Sequence, residues 1–151
     1  MRKTRIVPLA LIAVASLSVA LAPVASANGR PLKAELTGAS EVPGPGDPDG
    51  TGTARLRLNQ GQRRICFKIE VTDITLPATV AHIHEGPAGE PGDPVVDLVA
   101  PDATGVAVGC VTNVQRSLIK AIRKNPGDYY VNVHTSDFPA GAVRGQLSKR
   151  R

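Results

Sequence analysis

Tryptophan is absent from the chain, and the only aromatic residues besides histidine are Phe67, Phe138, Tyr129 and Tyr130. Unpaired bases are bound by stacking on aromatic side chains. Without such a platform or a recognition motif, nucleic acid is excluded as the partner. Glycine-rich phosphate loops and dinucleotide fingerprints are also missing. Ser40, Ser117, Ser136 and Ser148 stand in no nucleophile-elbow context. Glu41 and Glu85 are candidates for a carboxylate pair, but their spacing sets no separation between them. None of these features points to an enzyme.

Long apolar runs are equally scarce: the only one lies between Ile6 and Val24. Three cations in Met1–Arg5 precede it, and the small-x-small site Ala25-Ser26-Ala27 follows. Charged, apolar and small-residue regions in that order mark a secretory signal peptide, cleaved after Ala27. A membrane span needs about 20 predominantly apolar residues, and here Pro8, Pro23 and scattered serines interrupt the run. No cysteine stands near the cleavage site to carry a lipid, and Leu147–Arg151 offers no apolar tail. The expectation is a secreted protein with no membrane span after cleavage: residues 1–27 as signal peptide and 28–151 as one domain.

Removing the leader changes the charge balance. It holds three of the 18 basic residues and none of the 13 acidic ones, so a net charge of +5 becomes +2. Arg116, Lys120 and Arg123, with Lys124 beside them, form a basic stripe on a predicted helix, which reads as a solvated face. Cysteine is limited to Cys66 and Cys110, both in the exported part. An even count in an oxidising compartment points to one disulfide, Cys66–Cys110.

Glycine and proline punctuate short apolar runs, which is the all-β pattern. Strands are predicted over 32–37, 53–59, 64–71, 80–85, 94–99, 106–112, 129–135 and 142–147, with a hairpin turn at Asn59–Gln62. Ile65, Phe67, Ile69 and Val71 share the inward face of the third strand, which leaves Cys66 with Arg64, Lys68 and Glu70 outside. A bridge to Cys110 then staples the sheet from outside, or the strand carries a bulge. From Asn113 to Lys124 the residues Val114, Leu118, Ala121 and Ile122 recur at helical spacing, and Asn125-Pro126-Gly127 ends the helix. The predicted fold is all-β, an antiparallel Greek-key sandwich or barrel with a short helical insertion at about 113–124.

Three stretches stand out: Leu36–Pro43 (LTGASEVP), Ala81–Gly89 (AHIHEGPAG), and Tyr129–Thr135 (YYVNVHT) continued by Phe138–Leu147 (FPAGAVRGQL). In order and spacing they resemble the CHRD domain, the repeat named after chordin and found singly in many secreted bacterial proteins. The resemblance runs from about Leu32 to Leu147. It implies an extracellular binding or structural module with an unknown extracellular protein or other ligand as partner, and it brings no established activity.

All three histidines fall inside these stretches. His82 and His84 are two apart on a strand and project from one face; His134 shares its strand face with Tyr130 and Asn132. Three converging imidazoles suit copper or zinc with an open position for water. The pattern His-x-His-Glu followed by Val-x-x-His is similar to the placement of three copper ligands in Cu,Zn superoxide dismutases, although a fourth, bridging histidine and a zinc loop are missing. The other reading is structural: the histidines hold adjacent loops in a polar network with Glu41, Glu85, Tyr130, Asn132, Arg144 and Gln146, in which Arg144 pairs with Glu41 or Glu85. Both readings stay open from the sequence.

Overall fold

The computed structural model describes residues 29–149, so the leader and its cleavage site lie outside the described residues. Nine strands form one antiparallel sheet: β1 (Arg30–Thr37), β2 (Thr51–Asn59), β3 (Arg64–Thr72), β4 (Val80–Glu85), β5 (Asp93–Leu98), β6 (Val106–Val111), β7 (Tyr129–His134), β8 (Val143–Gln146) and β9 (Ser148–Lys149). Their order is β5-β4-β7-β8-β1-β2-β3-β6, with β9 on β1. The end strands β5 and β6 approach each other across the short connection 99–105, so the sheet curls into a nearly closed barrel. Curling the sheet leaves few unpaired edge groups open to other chains.

The two-residue period sets which side chains fill the interior. Leu32, Ala34 and Leu36 of β1, Ala54, Leu56 and Leu58 of β2, and Ile65, Phe67, Ile69 and Val71 of β3 are all buried in the core. Ala81 and Ile83 of β4 meet Val131 and Val133 of β7 from the other side. The helix α1 runs from Arg116 to Lys124, three residues shorter at its start than the spacing predicts. Asn113 adopts a left-handed φ of 62° and Gln115 is extended, so the chain turns there before the helix begins. Its buried residues are Ile119 and Ile122, while Leu118 and Ala121 are half-buried. Burying each of those two isoleucines is worth about 1.5–3 kcal/mol.

Cys66 stands directly opposite Cys110 in the β3–β6 pairing, and the two form a disulfide. Both sulfurs are on the outer face, so the sheet is stapled from outside and no bulge is required. Among the described residues no helix is long and apolar enough to cross a membrane.

Candidate functional site

Strands β4, β7 and β8 carry a second, polar layer on their outer face. The register puts His82 beside Asn132 and Asn132 beside Arg144, and in the next row His84 beside Tyr130 and Tyr130 beside Gln146. His134 lies opposite Val80, one row from His82. Strand alternation thus places all three histidines on one face, and the loops 86–92 and 135–142 cover them.

The imidazoles converge. Their ring centroids are 5.4 Å apart for His82 and His84, 5.3 Å for His82 and His134, and 6.4 Å for His84 and His134. One ring nitrogen from each lies within 4.8 Å of the other two. His84 Nδ1 is 2.8 Å from the Gly92 carbonyl oxygen, and His134 Nδ1 is 3.0 Å from that of Pro139. A carbonyl can only accept, so both Nδ1 atoms carry a proton, and in the neutral form of each ring it is Nε2 that holds the free lone pair. His82 is turned the other way: its Nε2 faces Asp97 Oδ1 at 3.7 Å. His82 Nδ1, His84 Nε2 and His134 Nε2 are buried, with no hydrogen-bond partner among the described residues.

Loop backbone makes this possible. Gly92 packs so closely that a Cβ there would lie 1.8 Å from the Glu85 carbonyl oxygen. Tyr130 Oη also bonds the Gly92 backbone, at 3.2 Å to the amide and 3.3 Å to the carbonyl. The Tyr130 ring stacks on His84 with centroids 4.7 Å apart, and the Arg144 guanidinium lies 3.4 Å above the Tyr130 ring on a cation–π contact. Burial, reinforced by the other two histidines, holds His82 below the ordinary imidazole pKa, and Asp97 opposes this only in part. Burial lowers His84 in the same sense, against the Gly92 hydrogen bond. Both rings are therefore neutral at neutral pH, the form that ligates a metal.

The rest of the expected network is partly present. Asn132 Nδ2 donates to both carboxylate oxygens of Glu41, at 2.9 and 3.1 Å. Gln146 Nε2 donates to the carbonyls of Gly86 and Gly127, each at 2.7 Å, and ties the Gly/Pro-rich loop down. Arg144 does not form the expected ion pair with Glu41 or Glu85. It is fully buried, donates to the Pro87 carbonyl at 2.9 Å and reaches Gln146 Oε1 at 3.5 Å. Glu85 stands apart, exposed, accepting from Tyr129 Oη at 3.1 Å, because the alternation turns it away from the histidine face. Asp97 and the carbonyls of Gly92 and Pro139 escaped the sequence reading. Backbone carbonyls leave no residue-type signal, and Asp97 is recognisable only through the β4–β5 register, which pairs it with His82.

Burial raises the Glu41 carboxyl to about 7, against the Asn132 hydrogen bond and the nearby Arg144 charge. Between about pH 4.5 and 7 the folded protein keeps a proton there that the unfolded chain has released, so this group stabilises the fold fully below 4.5 and its contribution is lost as pH rises through 7. Urea unfolding across this window should show stability falling with rising pH by up to about 3 kcal/mol. Glu41→Gln should flatten that slope; an unchanged slope would refute the assignment.

The family model of the CHRD domain matches residues 32–147. No curated protein matches the chain.

Proposed function

Since the chain belongs to the CHRD-domain family, and its three histidines each keep one ring nitrogen unpartnered and turned toward the others, we propose that it is a secreted binding module whose ligand is a single transition-metal ion, copper first and zinc second. One observation carries this reading. Histidines that served only to hold loops would have no need of a common centre, yet here one nitrogen of His84 and one of His134 holds a loop carbonyl and the other is left bare and buried. Metal-ligating histidines are oriented in this way, by an acceptor on the far side of the ring.

The donor set fits. Three imidazoles at metal–nitrogen distances of about 2.0–2.1 Å have their nitrogens about 3.5 Å apart. From separations of up to 4.8 Å, small side-chain rotations close the gap. Imidazole suits copper and zinc, and copper binds more tightly at a given site. Asp97 places one carboxylate 3.7 Å from His82, and outside β1, β2, β3 and α1 the described chain carries eleven acidic and three basic side chains, a net charge that draws cations toward that part of the molecule. Export through the leader at 1–27 supports both parts of the proposal, since it lets the cysteines pair and opens the site to environmental metal. With no fourth histidine to bridge a second ion, the site is suited to holding one metal rather than to a binuclear centre.

The test is titration of the mature protein, purified without a histidine tag, with Cu²⁺ and Zn²⁺, together with its metal content. One equivalent of copper is expected, with zinc weaker. No binding of either ion at micromolar concentrations would overturn the proposal and leave the histidines structural.

A further inference from the structure

Charge is sorted between two sides of this molecule. Strands β1, β2 and β3 with helix α1 carry ten basic and two acidic side chains. On their outer face, strand pairing aligns Lys33, Arg55 and Lys68 in one row and places Arg57 in the next, beside Cys66. Neighbouring strands are about 4.7–4.9 Å apart, and like charges placed directly opposite destabilise a sheet. Two glutamates give local relief, Glu35 with Lys33 at 3.5 Å and Glu70 with Lys68 at 2.8 Å. Arg55 and Arg57 have no carboxylate within 4.0 Å among the described residues.

Two depressions lie on this side. One, of about 240 Å³, is lined by Arg55, Arg57 and Lys68 together with Pro31, Cys66 and neighbouring apolar residues of β1 to β3. The other, of about 220 Å³, is lined by Arg30, Lys120, Arg123, Lys124 and Gln60. Neither contains a carboxylate. Pro31 lines the first and Arg30 the second, so the two depressions adjoin at neighbouring residues of β1. Cations in the last turn of α1 complement its dipole, which accounts for Arg123 and Lys124 but not for the sheet arginines.

We propose that this face binds a flexible phosphodiester polymer, read through its backbone charges as it passes from the first depression to the second. Guanidinium forks match phosphate oxygens two at a time. Val108 is the one exposed large apolar residue along these rows and no aromatic is exposed there, so the face has nothing to insert into a bilayer and nothing on which bases or sugars could stack. A flexible chain can follow the convex barrel where a rigid duplex touches only one edge. This surface is independent of the histidine site.

The experiment measures binding of the mature protein to a glycerol-phosphate oligomer, with duplex DNA and vesicles of equimolar phosphatidylglycerol and phosphatidylcholine as comparisons. With about four phosphates neutralised, raising salt from about 50 to about 200 mM should weaken oligomer binding roughly 50-fold. Arg55→Glu combined with Arg57→Glu should weaken it roughly 10-fold or more at low salt, with the thermal transition and copper stoichiometry unchanged, whereas Asp49→Asn should leave it intact. Salt-independent binding, an indifferent double variant, or tighter binding to duplex or vesicles at equal phosphate concentration would each overturn the proposal.

Discussion

Replacing His84 with alanine should lower the copper affinity of the mature protein by roughly 100-fold or more, since losing even an outer partner of a ligand typically costs 10- to 100-fold. His84 is the most deeply held of the three histidines: buried, stacked on Tyr130 and anchored at Nδ1 by the Gly92 carbonyl. Its Nε2 accepts no hydrogen bond among the described residues, so the variant loses a ligand as well as the Tyr130 stacking, and the two losses are read separately. Calorimetric titration and metal content report the first, and far-UV circular dichroism with a thermal melt reports the second. Tyr130→Phe offers a graded comparison. It keeps the stacking ring and removes the hydroxyl that braces Gly92, so affinity should fall by roughly 10-fold. An alanine variant that binds copper as well as the parent would remove His84 from the ligand set.

Breaking the Cys66–Cys110 bridge should destabilise the fold by about 4 kcal/mol, the chain-entropy value for a cross-link between residues 44 apart in sequence. In a domain of this size that corresponds to a drop of roughly 15 °C in Tm. The bridge joins β3 to β6, the last pairing before the barrel seam, so its loss should loosen β6 and the connection toward β5 first. Thermal melts with and without reductant, and of Cys66→Ser with Cys110→Ser, measure the effect. The histidines stand on β4 and β7, on neither bridged strand, so below its lower Tm the double variant should still bind one equivalent of copper. A shift below about 1 kcal/mol would show that β3–β6 pairing needs no staple.

The strand segments were legible because alternation is local. The sequence Ile65-Cys66-Phe67-Lys68-Ile69 states in itself which side chains face inward, and the barrel buries Ile65, Phe67 and Ile69 as that pattern demands. The helix was legible in existence, in its end and in one buried position, Ile122. Ile119, three residues earlier on the same face, is also fully buried, whereas Leu118 and Ala121 of the predicted spacing are half-buried beside it. The ion pair expected of Arg144 does not form, because the register sets its neighbours. Charge suggests a carboxylate partner, but the register puts Arg144 beside Asn132 and over Tyr130, where backbone carbonyls and an aromatic face take that place.

What the sequence determined alone is whatever depends on neighbours along the chain: strand faces, the hairpin turn, the helix stop, and the shared face of His82 and His84, which a two-residue spacing on a strand guarantees. Only the tertiary structure decided how β7 lies against β4. That register brings His134, fifty residues further on, to the same centre, and with the covering loops it settles which ring nitrogen of each histidine is engaged and which is left bare. The difference is physical. Backbone geometry repeats every two residues and can be counted from residue types, whereas the pairing of distant strands and the carbonyls that orient an imidazole arise from folding the whole barrel and leave no mark on the identity of any single residue.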